Sequence, residues 1–300
     1  MQMFKGIVFL AVFIPSLACH GQDFKADFDK SFHAGDTTSQ ILVLKEWEAS
    51  NPKDPELFTR YFNYFFAKSK KKVLALTSDP PYGEGLLIQD STGSTVGYMG
   101  DRIYFDPNLL QAAFNRIDSG IALFPDRLDM RFGKIYALGQ EKDWTGFTDE
   151  IIKTVRQSKR NRNKWTWTND ERKDNGEQFL LSSIQGYQTE LYETENDSLL
   201  RNMRSIAQEV LKYYPDHVES LSTLSVTYLL LGEYDKGIEP LLKAEAINPK
   251  DGIVLGNIAQ GYRLKGDTAS ALNYYGKMLR LDDQEAKAFA QKQIQALQAR

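Results

Sequence analysis

The sequence predicts an all-α solenoid of helical hairpins, with a small β-hairpin inserted inside one repeat and a capping helix at the C-terminal end. Three observations carry this. First, a 34-residue period runs through the C-terminal half. Leu221, Leu224, Tyr228, Gly232, Leu241, Ile247 and Pro249 each stand 34 positions before Leu255, Ile258, Tyr262, Gly266, Tyr275, Leu281 and Asp283. Second, apolar residues inside each unit recur at helical spacing, as Leu221, Leu224 and Tyr228 do at i, i+3 and i+7. Third, Gly and Asn-Pro punctuate the units, because proline cannot continue a helix. A unit this small cannot bury its apolar face alone, so stacking of neighbours must supply the core.

Residues 1–21 read as an export signal, with Lys5 as the basic start and an apolar run from Gly6 to Ala18 that is too short to span a bilayer. Two cleavage readings compete. Ser16-Leu17-Ala18-Cys19 resembles a lipoprotein signal and makes Cys19 a candidate lipidation site, although Ser16 stands where that pattern has Leu. The other reading cuts after Gly21. Both place the fold outside the cytoplasm, in the periplasm or lipid-anchored in the envelope. Membrane contact is expected only through a lipid on Cys19.

Residues 22–125 read as degenerate helical pairs. Phe24, Phe28 and Phe32 form a stripe before Gly35, and Asn51-Pro52-Lys53-Asp54 repeats Asn248-Pro249-Lys250-Asp251. Pro55 to Lys68 is an aromatic-rich helix whose partner is Pro107 to Leu123. Between them, 73–105 does not fit a helix. Leu86 to Asp90 and Thr95 to Met99 flank Ser91-Thr92-Gly93-Ser94 as a β-hairpin, with Ile103-Tyr104-Phe105 as a short third strand. Over 126–215 the pairs are Arg127 to Leu138 with Trp144 to Val155, and Gln178 to Glu193 with Leu199 to Tyr214. A polar loop, 160–176, carries Trp165 and Trp167. The two clear repeats fill 216–283, and 284–300 forms the cap, helical over Ala286 to Ala299. Pro240 falls inside a helix and is expected to kink it.

Small residues recur at matched positions, Ser225 with Ala259 and Gly237 with Ala271, where two antiparallel helices must approach closely. With the period and the Gly, Tyr and Pro positions, 216–283 resembles the tetratricopeptide repeat (TPR) family, whose pattern is W-x2-L-G-x2-Y…A-x3-F…P; Leu221 and Leu255 replace the Trp. The resemblance implies a groove lined by the first helix of each pair. By position, it assigns partner binding to Ser222, Val226 and Leu229 in one repeat and to Asn257, Gln260 and Arg263 in the next. Some family members clamp a C-terminal carboxylate with Lys and Asn in one repeat and Asn in the next. Asn257 matches the last of these. Ser222 and Val226 stand where the others would be, which argues against that clamp.

Chemistry is sparse. The 300 residues hold 37 Lys+Arg against 40 Asp+Glu, one Cys and three His. That balance excludes a disordered chain and lacks the basic footprint of nucleic-acid binding. One cysteine cannot form an internal disulfide or a zinc ribbon. No nucleophile elbow, P-loop, H-E-x-x-H or dinucleotide fingerprint occurs. The basic runs 68–72 and 156–164 read as helix C-terminal tails. Asp282-Asp283 and Glu193…Glu195…Asp197 read as caps and turns. The expected protein is a non-enzymatic scaffold that binds a protein or peptide, with no cofactor, metal or nucleic acid. Tyr98, Tyr104, Trp165 and Trp167 are candidate secondary contacts. They support an alternative reading, a glycan-associated accessory protein. A hydrolase using carboxylates from distant segments is the third.

Overall fold

The computed structural model describes residues 23–78 and 84–299. Residues 1–21, where the sequence suggests an export signal and a lipidation site at Cys19, lie outside the described residues. The chain divides into two compact units, 1–53 and 54–300.

The first unit is one helical hairpin, α1 (Phe24–His33) and α2 (Thr37–Ser50). Asp23 and Asp36 start the helices by accepting hydrogen bonds from first-turn amides, Ala26 N at 3.0 Å and Ser39 N at 3.0 Å. Gly35 turns the chain between them at φ 69°. Trp47, where the repeat family has a small residue, is buried and stacks on Phe24 with centroids 6.0 Å apart.

The second unit is a helical solenoid. Its pairs are α3 (Pro55–Ser69) with α4 (Pro107–Leu123), α5 (Leu128–Glu141) with α6 (Trp144–Asn161), α7 (Gly176–Glu193) with α8 (Leu200–Tyr213), α9 (Val218–Leu230) with α10 (Tyr234–Ile247) and α11 (Gly252–Lys265) with α12 (Thr268–Met278). Helix α13 (Gln284–Gln298) packs on α11 and α12 as a cap. The starts of α9 and α11, Val218 and Gly252, are 34 positions apart, as are those of α10 and α12, Tyr234 and Thr268. Aspartates open α3, α4, α6, α11, α12 and α13, each accepting from one or two first-turn amides. Helix α10 runs through Pro240 without a break.

Close approach explains the small residues. Ser225, Ala259 and Ala271 are wholly buried. A methyl at Gly237 would sit 2.6 Å from Leu229 Cδ2, and one at Gly261 would sit 2.9 Å from Ile238 Cγ1. Between α3 and α4, a methyl at Gly120 would meet Phe58 Cβ at 2.9 Å. The apolar interior falls into three clusters: one on α3, α4 and α5, one on α5 to α8, and one on α9 to α13.

The insert differs from the sequence expectation. It is a three-stranded antiparallel sheet of β1 (Lys70–Thr77), β2 (Gly85–Gln89) and β3 (Thr95–Phe105), in the order β1-β3-β2. Ile103, Tyr104 and Phe105 continue β3, and the true third strand is β1. Lys70 to Lys72 are therefore not a helix tail. Ser69 Oγ caps the end of α3 on Phe66 O at 2.7 Å, and the chain turns extended at Lys70. Lys71 and Lys72 pair with Asp106 and Asp101 across the sheet, at 2.8 and 2.6 Å. Leu76, Met99 and Leu86 align in one row on one face, and Leu76 stays 70% exposed.

The segment 160–176 is woven into the structure rather than a free loop. Thr166 donates to Asp126 O and accepts from Leu128 N, at 2.9 and 3.0 Å. Arg127, 1% exposed, donates to Glu56 Oε1 at 2.7 Å and to both Asp129 oxygens at 2.8 and 2.9 Å, and it pairs with Asp170 at 3.2 Å. Glu56 Oε1 also accepts from Asn169 N at 2.8 Å. Burial opposes the Arg127 charge, but the Asp129 and Glu56 carboxylates outweigh it and raise its basicity.

Two outcomes follow from this packing. Gly237→Val should lower unfolding free energy by about 1–3 kcal/mol by overpacking, whereas Gly186→Ala, in α7 with open space around it, should gain roughly 0.5–1 kcal/mol. Urea titration followed by circular dichroism measures both, and equal effects would contradict the close-approach account. Arg127→Met takes the cation from Glu56 Oε1 and from Asp129, leaving Glu56 only the longer pair with Arg60 at 3.4 Å, and should cost about 3 kcal/mol. The double variant Arg127→Met/Glu56→Gln should be more stable than Arg127→Met alone; a double variant no better than the single one would remove the ion pair from the explanation.

Candidate functional site

The first helices of successive pairs, α7, α9 and α11, and the cap α13 together line a groove in the second unit. It holds two hollows. The first, about 400 Å³, is bounded by Gln188 and Tyr192 of α7, Met203 of α8, Ser222 and Val226 of α9, and Ile253 and Asn257 of α11. The second, about 380 Å³, is bounded by Ile253, Gly256, Asn257 and Gln260 of α11, Met278 of α12 and Phe289 of α13. Ile253 and Asn257 border both, so the hollows adjoin. Ile253 is 75% exposed on the divide, and Tyr192 and Phe289 are exposed at either side.

Local sequence explains this placement. Asp251 caps α11 by accepting from Ile253 N and Val254 N at 2.9 and 3.0 Å, which sets the helix start so that Val254 and Leu255 point inward and Ile253 outward. The buried small face of α11, with Gly256, Ala259 and Gly261, draws neighbouring helices close. The floor of the first hollow carries an unused acceptor. Gln188, 3% exposed, donates Nε2 to Met203 O at 3.1 Å, and its Oε1 is buried with no hydrogen-bond partner.

The sequence-assigned residues divide. Ser222, Val226 and Asn257 line the first hollow; Asn257 and Gln260 line the second. Arg263 donates to Gln260 Oε1 at 2.9 Å and is not part of either lining. Leu229 is buried in the core because α10 and α11 close over it at Gly237 and Gly261. Trp165 is 1% exposed inside the cluster of α5 to α8, so it offers no surface, and Trp167 packs edge-on against Phe132 and Phe179. The two tryptophans therefore present no common exposed surface. Tyr104 is exposed and Tyr98 half-buried on one face of the sheet. Tyr192, Gln188 and Met203 escaped the sequence reading because α7 and α8 fall outside the clear 34-residue register. Phe289 had a signal, as the one aromatic residue of the terminal helix.

Among the described residues, no group of His, Cys, Asp and Glu could hold a metal ion, and no helix is long and apolar enough to cross a membrane. Asp283 is spent as a cap, accepting from Glu285 N and Ala286 N at 2.8 and 3.1 Å.

No family model and no curated protein matches the sequence. Solved structures do. YrrB, described as a TPR protein with an unusual peptide-binding site, is 14% identical, covering 83% of this chain and 97% of its own, at TM-score 0.41. A tetratricopeptide repeat protein from Parabacteroides merdae is 12% identical, covering 93% and 88%, at TM-score 0.38. TTC0263, a thermophilic TPR protein from Thermus thermophilus, is 14% identical, covering 88% and 94%, at TM-score 0.31. The TPR-like fold of this chain rests on its own helix pairs and their 34-residue offset.

Proposed function

We propose that this protein is a non-enzymatic scaffold of the cell envelope that holds an extended or helical segment of a partner protein in the groove of α7, α9, α11 and α13. The observation that carries the reading is the run of two adjoining hollows with Ile253 exposed between them. An exposed isoleucine flanked by Tyr192 and Phe289 is costly to leave in water and serves as an anchor for apolar side chains of a partner. Helix-in-groove and extended-peptide recognition both use such spaced anchors. The Asn257 side chain makes no hydrogen bond among the described residues and stands at the junction of the two hollows, where it can meet a partner's backbone. The envelope setting rests on the sequence of residues 1–21. A glycan-associated role loses its main support with Trp165 buried.

Peptides selected from a random library on the intact protein should bind through this groove. Ile253→Ser and Asn257→Ala should each weaken them at least tenfold, while Leu242→Ala on the outer helix α10 leaves affinity unchanged; fluorescence anisotropy measures this. Equal losses at all three positions, or none, would sink the groove. Fusing residues 1–21 to a reporter active only after export should give activity, and substituting Cys19→Ser should release the product from membranes if the lipoprotein reading holds. An inactive fusion would remove the envelope setting.

A further inference from the structure

The chemistry of the groove narrows the class of partner. Its two hollows are lined by Glu219, Asp251, Asp283 and Glu285, and by no Lys or Arg. The His217 imidazole lies 3.1 Å from Glu219. Burial holds it below the ordinary histidine value, so it cancels no negative charge at neutral pH. Arg263, outside both linings, reaches the edge of the second hollow through its 2.9 Å bond to Gln260 Oε1, where Asp283 and Glu285 still leave negative charge in excess. The buried floor adds Gln188 Oε1, an acceptor with nothing donating to it. A buried acceptor left unpaired is costly, and a bound donor relieves that cost. The walls are apolar at Val226, Ile253 and Phe289. A groove with apolar anchors, negative rims and a spare acceptor is complementary to apolar side chains interleaved with N–H donors and positive charge.

We infer that the partner segment is basic and amphipathic: a stretch of a protein with Lys or Arg spaced among large apolar residues. This rests on the groove reading above and adds the sign of the charge to it. Apolar contact supplies the anchor at Ile253. The carboxylates select against acidic segments and speed the encounter, an effect that salt screens.

Three labelled 16-residue peptides of identical leucine pattern, carrying Lys, Gln or Glu at the polar positions, test this by anisotropy on the full chain. The Lys peptide should bind at least thirtyfold more tightly than the Glu peptide, and its affinity should fall at least tenfold between 50 and 500 mM salt. Glu219→Gln/Glu285→Gln should weaken the Lys peptide about tenfold and leave the Gln peptide unchanged. Ile253→Ser should weaken the Lys and Gln peptides alike. Matching circular dichroism of each variant keeps folding out of the comparison. If the Gln peptide binds as tightly as the Lys peptide and salt has no effect, the charge inference is overturned while the groove reading stands. If the Lys peptide binds but ignores Ile253→Ser, it binds elsewhere and the inference is overturned. If none of the three binds, the inference is overturned, and the peptides selected in the groove test then decide whether the groove itself survives.

Discussion

The second unit depends on how near its helices come to one another. At Gly120, Gly237 and Gly261 there is no room for a single methyl group, and Ser225, Ala259 and Ala271 fill their sites with nothing to spare. Short contact distance lets each pair bury Leu, Ile and Tyr on both sides of the crossing. It also fixes the angle at which the next pair stacks. Because the first helices are held at this spacing, α7, α9, α11 and α13 present one continuous line of side chains, and the groove is a by-product of the packing rather than a separately built pocket.

This constraint was legible in the sequence where the period was strict. Gly237 opposite Ala271, and Ser225 opposite Ala259, announced close crossings. The aspartates that cap α3, α4, α6, α11, α12 and α13 sat where chain punctuation placed helix starts. Helix Pro107–Leu123 was readable to the residue. The strand β1 was not, because Val73 to Thr77 is apolar without polar alternation and follows a lysine run that mimics a helix end. Nor was the Arg127 centre. Its partners Glu56, Asp129 and Asp170 lie up to 71 residues away, and each carboxylate taken alone reads as a solvated cap. Of the residues that position within the repeat assigned, Ser222, Val226, Asn257 and Gln260 line the hollows. Leu229 differs because α10 and α11 close over it at Gly237 and Gly261.

The segment 160–176 shows how a polar stretch can be structural. Asn163, Asn169 and Asn175 all take left-handed backbone angles, which short amide side chains tolerate. These bends bring Trp165 into the core and Asn169 N to Glu56. Arg127 then ties the first helix of one pair to the segment that links the next two, so charge does here what apolar stacking does elsewhere in the array. The sheet is the counterexample: Leu74, Leu76, Leu86 and Ile103 lie on one face and are all more than half exposed.

The division of the interior has a consequence for ligand linkage. The buried residues of α5 to α8 and of α9 to α13 form two clusters, and α8 joins them: its Leu211 packs on the second cluster, and its Arg204 donates to Thr227 Oγ1, Thr227 O and Glu233 at 3.2 to 3.3 Å. The first hollow lies over that junction, with Gln188, Tyr192 and Met203 on one side and Val226, Ile253 and Asn257 on the other. A segment seated there touches both halves at once. Its binding free energy would add to the coupling that α8 already provides between the two clusters, and occupancy would register as a rise in the melting point of the whole array.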